Sequence, residues 1–195
     1  ALVTENTTDE ISSSQSQSIA CAIRMNTAPT IASGVVSNHK RCEFGVSSGT
    51  SGYKGITTGT TQINDISFMI ASVNSRVTDN DAISRADGNW HTIVGVYNYD
   101  TVVAANNTAK IYIDGNLIAT VTLDPANPSI GNAAAYPEDS MLAKRLLIGA
   151  LLTANGGLST AYNFFTGDIA NIAIFNQALS AQACVDYHNY VFDYV

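Results

Sequence analysis

The chain has 195 residues, 46% of them hydrophobic and only 13% charged, with a formal net charge of −7 at pH 7. That length suits one domain with a sizeable core, and the low charge leaves Ser, Thr, Asn, Ala and Gly to cover the outside. Nine Lys and Arg scattered along an acidic chain form no basic stripe for nucleic acid and no cationic face for an anionic membrane.

Taken in chain order, the first seventeen residues are polar and read as an extended or mobile lead-in to a single domain spanning 1–195. The opening "ALVTENTTDE" has no basic region followed by an apolar block, so no signal peptide is read there. Strand patterns follow at "SIACAIRM" (18–25), "IASGVVS" (31–37), "CEFGVS" (42–47), "DISFMIAS" (65–72) and "WHTIVGVYN" (90–98). "KIYIDG" (110–115), "LIATVTL" (117–123), "RLLIGAL" (145–151) and "DIANIAIF" (168–175) continue the series. Between them stand turn-rich breakers such as "SSGTSGYKG", "TDND", "ADGN" and "TANGGLST". The longest apolar runs are far below the roughly 18 residues of a membrane-spanning helix, which argues against membrane insertion.

The sharpest local signal is Asp114-Gly115 between two β-rich runs, because a D-G pair readily takes the positive φ angles of a tight hairpin. Ile111 and Ile113 point one way and Tyr112 the other, which predicts one buried face. One helix is predicted near the C-terminus: Ser180 is a good N-cap, and Leu179, Ala183, Tyr187 and Val191 make an apolar stripe at i+4 spacing. It would pack across the edge of the sandwich or on its convex face.

The ordered set "DGNWHTIVGVYN", "KIYIDGNLIATV", "LLIGA" and "FFTGDIANIAIFNQALSAQACVDY" resembles the laminin-G-like jelly rolls of the concanavalin A-like lectin/glucanase superfamily. Trp90-His91, Tyr112 with Asp114-Gly115, Ile148-Gly149, Phe165 with Gly167 and Ile169, Phe175-Asn176 and Ala178-Leu179-Ser180 fill the places of that family's signature. The likeness spans about residues 18 to 188, with Ile23 where the family has a tryptophan and Ala170-Asn171 where it commonly has an acidic pair. It implies an all-β fold: a two-sheet antiparallel jelly-roll sandwich with one short C-terminal helix. It also implies that Trp90 is a core residue. Members bind glycans, proteins or calcium, or serve as spacers, so the fold alone assigns no activity.

The chemistry argues against an enzyme. Retaining glycoside cleavage needs two carboxylates about 5 Å apart, and the family's glucanases carry them as E-x-D-x-x-E. None of Glu5, Glu10, Glu43 and Glu138 has an Asp two residues on, and neither G-x-S-x-G nor H-E-x-x-H occurs. Because neighbouring strand residues point to opposite faces, Trp90 is expected inside and His91 on the other side, so the pair would not act on one ligand. Calcium is the candidate metal, with hard oxygen donors at Asp79, Asn80, Asp81, Asp87 and Asn89. Candidate glycan contacts are Tyr99, Asp100, Asn106 and Asn107, with the loop tyrosines Tyr136 and Tyr162 and, more distantly, Tyr53. Asn6 and Asn106 also head N-glycosylation sequons, relevant to a eukaryotic secreted protein. Cys21, Cys42 and Cys184 match no zinc or redox spacing; they read as buried thiols, or as a Cys21–Cys42 bridge with one thiol left over.

The functional expectation is a non-catalytic recognition or adhesion module, extracellular or on a cell surface or virion, whose partner is a surface glycan or a protein. The rival expectation is a structural virion protein using the same fold for homo-oligomer or particle assembly. It draws on the sparse charge, the missing signal peptide and the N-terminal Ala.

Overall fold

The structure is a computed structural model that describes residues 2–4, 16–27, 33–37, 44–50, 64–70, 72–79, 85–100, 102–103, 106–122, 146–152, 161–162 and 164–193. Its strands are β1 (Leu2–Thr4), β2 (Gln17–Arg24), β3 (Ser33–Ser37), β4 (Phe44–Thr50), β5 (Asn64–Ile70), β6 (Ser72–Asp79) and β7 (Trp90–Asn98). After them come β8 (Thr108–Ile113), β9 (Asn116–Thr122), β10 (Leu146–Ile148), β11 (Leu151–Leu152), β12 (Ala161–Tyr162), β13 (Asp168–Phe175) and the helix α1 (Ala181–Asp193). Two antiparallel sheets dominate, one in the order β1-β10-β3-β4-β5-β6 and the other in the order β13-β2-β7-β8-β9; β11 and β12 form a short ribbon. The sheets face each other, with β6 across from β8 and β9, β5 across from β8, and β4 across from β7. This is the expected jelly-roll sandwich with a C-terminal helix. Leu2–Thr4, in the expected lead-in, pairs with β10 as an edge strand.

The central strand β2 shows why the sequence reads this way. It pairs with β13 on one side and β7 on the other, so both its hydrogen-bonding edges are satisfied. Its larger residues Ile19, Cys21 and Ile23, followed by Met25, point inward and join the core between the sheets. The alternate residue Ala20 points outward and packs under the helix. Small residues on that face let α1 approach the sheet, while each inward Ile removed from water contributes about 1.5–3 kcal/mol.

Strand β7 makes the same division. Ile93 and Tyr97 belong to the inner core, whereas Val94 and Val96 lie in the outer cluster with Cys184 of α1. Gly95 sits on the inner face because Phe68 of the opposite sheet presses onto it; a Cβ there would lie 2.2 Å from Phe68 Cδ2.

The β8–β9 hairpin forms as predicted, with φ of 50° at Asp114 and 74° at Gly115. The expectation that only one of its faces is buried is corrected: Ile111 and Ile113 join the inner core, and Tyr112 is buried in the outer cluster under α1. Ser180 caps α1 by accepting the Ala183 N–H at 3.1 Å. The helix lies on the outer face of the five-stranded sheet, and its buried residues are Cys184 and Val191, with Tyr187 and Leu179 packed beside them. The apolar stripe therefore runs through Cys184 in place of Ala183. Ser18 fixes the approach to the helix by donating to Gln177 O at 2.9 Å and accepting the Leu179 N–H at 3.0 Å. Cys21 and Cys184 are buried free thiols, which decides against a Cys21–Cys42 bridge; Cys42 lies outside the described residues.

Candidate functional site

Three polar groupings exist among the described residues, and they differ in how much hydrogen-bonding capacity they leave for a ligand. The first surrounds His91. Contrary to the expectation, His91 shares the inward parity of Ile93 and Tyr97, while Trp90 shares the outward parity of Thr92, Val94 and Val96. His91 Nδ1 lies 2.8 Å from Asp114 Oδ2 and its Nε2 lies 3.2 Å from Asp87 Oδ1. Asp114 also accepts the Thr92 N–H at 3.0 Å and returns its own N–H to Thr92 O at 3.0 Å. Arg85 links this carboxylate, at 3.8 Å, to Asp79, at 3.3 Å. Across β7, His188 Nδ1 is 2.9 Å from Thr92 Oγ1.

The hydrogen bond to Asp114 raises the His91 pKa; burial opposes it, and the charges of Asp114 and Asp87 add to it. Burial also works against the Asp114 carboxylate, but the His91 hydrogen bond and charge and the Thr92 N–H outweigh it and lower its pKa. Asp87 is held down at about 2 by the Asn89 backbone N–H, the Asn89 side-chain amide and His91. With a carboxylate on each ring nitrogen, His91 has no free nitrogen to move a substrate proton. The group is a clamp that joins the 85–89 turn to the β8–β9 hairpin.

Among the described residues, the calcium candidates Asp79, Asp87 and Asn89 do not converge on one point. Asp79 is buried against Arg85, Asp87 turns to Asn89 and His91, and Asn80 and Asp81 lie outside the described residues. A guanidinium between Asp79 and Asp114 is a poor neighbour for a divalent cation. Among the described residues no group of three His, Cys, Asp or Glu side chains converges on a metal position.

The second grouping is the 98–107 loop, which does bring Tyr99, Asp100, Asn106 and Asn107 together. Their polar atoms hold the loop itself. Asp100 Oδ1 accepts the N–H groups of Val102 and Val103 at 2.8 and 2.9 Å, and Oδ2 accepts the Asn106 amide at 2.7 Å. The Asp100 pKa is lowered by Val103, Asn106 and Val102 in that order. Asn107 is buried and accepts the Asp100 N–H at 2.8 Å. Tyr99 exchanges hydrogen bonds with Ser16 and packs on Tyr97, ring centroids 6.0 Å apart. Among its described residues the loop turns Val102, 88% exposed, Val103 and Asn106 to solvent. Tyr162 lies in β12, with its side chain outside the described residues; Tyr53 and Tyr136 are outside them altogether.

The third grouping is one that sequence reasoning missed. Asp168, Arg24 and Trp90 are Cα partners across β13, β2 and β7, and so stand in one row on the outer face. Arg24 Nε and Nη2 both reach Asp168 Oδ2 at 2.9 Å, and the guanidinium lies over the Trp90 ring, 5.1 Å from its centroid. The Arg24 and Asp168 side chains are 43% and 52% exposed, and Trp90 is half-buried. No described residue bonds Arg24 Nη1 or Asp168 Oδ1. Gly167 sets the end of the row: a Cβ there would meet Arg24 O at 2.4 Å, so only glycine lets β13 approach this closely beside Asp168. The signal that could have exposed the row is strand alternation. It was silent because "TIVGVY" is apolar on both faces, one under the opposite sheet and one under α1.

The fold and the exposed sheet face define a jelly-roll domain of the lectin-like class. The family model of the concanavalin A-like lectin/glucanases superfamily, laminin G type, matches residues 3–183, and the chain belongs to that superfamily. No curated protein matches the sequence. Among solved structures, the binding domain of Paraclostridial Mosquitocidal Protein 1 is similar at a TM-score of 0.56 and 13% identity, over 93% of this chain and 38% of that one. A candidate carbohydrate-binding protein from Bacteroides ovatus also gives 0.56 at 13% identity, over 88% and 40%. The binding domain of botulinum neurotoxin DC, solved with rat synaptotagmin II, gives 0.51 at 15% identity, over 91% and 36%. The chain thus spans little more than a third of the length of these structures, and at such identities the likeness is one of fold.

Proposed function

We propose that the domain is a non-catalytic recognition module that binds glycans at an outer surface. The observation that carries this reading is the Asp168–Arg24–Trp90 row. It offers a carboxylate paired with a guanidinium that lies over an aromatic ring, all on hydrogen-bonded strands, with donor and acceptor positions to spare. Ligand sites commonly combine an apolar surface with a few placed polar groups. Against catalysis, the histidine and carboxylates of the His91 group are already spent on one another. Among the similar structures are the binding domains of a neurotoxin and of a mosquitocidal protein and a candidate carbohydrate-binding protein, which is consistent with a glycan or protein partner.

The assembly reading, a structural virion protein, has a different observation in its favour. Leu117 and Ile118 on edge strand β9, and Tyr190 and Phe192 on α1, are exposed apolar side chains. A glycan array probed with the domain, together with sedimentation, separates the two. Saturable hits from a monomer support recognition; a silent array with a discrete oligomer overturns it.

A further inference from the structure

We infer that the Asp168–Arg24–Trp90 row is the sugar subsite and that it selects neutral pyranosides carrying two adjacent hydroxyls over acidic sugars; this rests on the glycan-recognition reading above. The chemistry follows from how the pair is spent. Both Arg24 contacts go to one oxygen, Asp168 Oδ2, which neutralises the guanidinium locally yet leaves Nη1 as a donor and Oδ1 as an acceptor. A hydroxyl can accept from Nη1 while its neighbour donates to Oδ1, so two adjacent hydroxyls complement the pair. The guanidinium lies over the Trp90 ring, so a sugar seated on the Arg24–Asp168 pair sits beside the half-buried indole and changes its surroundings.

An acidic sugar fits poorly. Its carboxylate would meet Asp168, on a chain of net charge −7, and Arg24 carries no unpaired charge to offset the repulsion. Position is fixed by backbone: Arg24 lies on the central strand with partners on both sides, and Gly167 brings β13 against Arg24 O. The Arg24 and Asp168 side chains are about half exposed, so one monosaccharide should bind in about the millimolar range, and useful strength would come from several sugars or several copies.

Trp90 is the sole tryptophan, so its fluorescence reports on this row without interference. Methyl glycosides of glucose, galactose and mannose, with glucuronic acid and N-acetylneuraminic acid, are titrated against the intact chain while Trp90 emission is followed, and the affinities are repeated by calorimetry. At least one neutral glycoside should shift the emission saturably, with the acidic sugars about tenfold weaker, and binding should survive chelator because the proposed contacts are those of Arg24, Asp168 and Trp90. Arg24→Met should weaken the neutral sugar about tenfold. The near-isosteric Asp168→Asn should do so too, while improving acidic sugars through the freed guanidinium. Far-UV circular dichroism checks that each variant is folded, and Asp168→Asn alone suffices if Arg24→Met is not. Calorimetric sugar binding with silent Trp90 emission and unchanged variant affinities would overturn the site while leaving glycan recognition standing. Tighter binding of the acidic sugars by the unmodified chain, or loss in chelator, would overturn the ligand class. No binding of any sugar, with a silent array, removes the underlying reading as well.

Discussion

Gly95→Ala is the most direct test of how the two sheets meet. The added Cβ would lie 2.2 Å from Phe68 Cδ2, 2.4 Å from Cγ and 2.7 Å from Cε2, where ordinary contact begins at 3.4 Å. Ring rotation gives no relief, because Cγ lies on the rotation axis. The whole Phe68 side chain has to retreat by more than an ångström, and it is fully buried among Ile66, Val77, Ile93 and Ile111. Overpacking of this kind costs about 1–3 kcal/mol. Replacing glycine restores about 0.4–1 kcal/mol through the unfolded chain, which leaves a net loss of about 1.3 kcal/mol at the middle of the two ranges. For a chain of this size that lowers Tm by roughly 3–5 °C.

Urea unfolding followed by circular dichroism measures the effect, and Phe68→Ala identifies its cause. Alone, Phe68→Ala costs about 3–5 kcal/mol. In that background the Gly95→Ala methyl group enters vacated space, so the second change should be neutral or slightly stabilising, a coupling on the order of 1–3 kcal/mol. A neutral Gly95→Ala in the unmodified chain, or equal losses in both backgrounds, would refute the proposed contact.

Three other measurements probe the remaining arrangement. The raised pKa of His91 means that its stabilisation is complete below its unfolded value of about 6.5 and is lost as pH rises through the folded value. Unfolding midpoints should therefore fall from pH 6 toward pH 9, and His91→Gln should flatten that slope. The lowered carboxyls of Asp87, Asp100 and Asp114 act in the opposite sense: their contribution is present above about pH 4 and fades as pH falls through their folded values. Ser180→Ala removes the cap on α1 and should cost about 1 kcal/mol, read as a drop in denaturation midpoint. Burial pushes the Cys21 thiol up to about 12 and the Cys184 thiol up to about 11, so in a Cys42→Ser background neither should react with iodoacetamide at pH 8 until the chain unfolds.

Most of the fold was legible because several elements carry a local signature. Asp114-Gly115 announces its hairpin through backbone chemistry, Ser180 announces its helix through capping, and "WHTIVGVYN" coincides with β7 residue for residue. Strand β6, "SVNSRVTD", was not legible. Its polar run earns its place through pairing with β5 and facing β8 and β9, which no local pattern records. The breaker "TDND" even overlaps its last residues. The 98–107 loop shows a subtler failure. Composition gathered the right residues but could not reveal that Asp100 spends both its oxygens on Val102, Val103 and Asn106.

The same distinction separates the missed row from the expected sites. Asp168, Arg24 and Trp90 are far apart in sequence, and each has an ordinary local reading: a strand start, a strand end and a core aromatic. Their meaning comes from register, because antiparallel pairing across three strands puts them on one line of one face. Residues clustered in sequence, such as Asp87 with Asn89 or Asp100 with Asn106, close tight turns and so satisfy one another. Residues joined only by register meet side by side, and after the Arg24–Asp168 bond is made their outer atoms still face solvent. In this domain the polar clusters at Asp87 and Asp100 are spent on their own turns, whereas the proposed subsite joins residues that only strand register brings together.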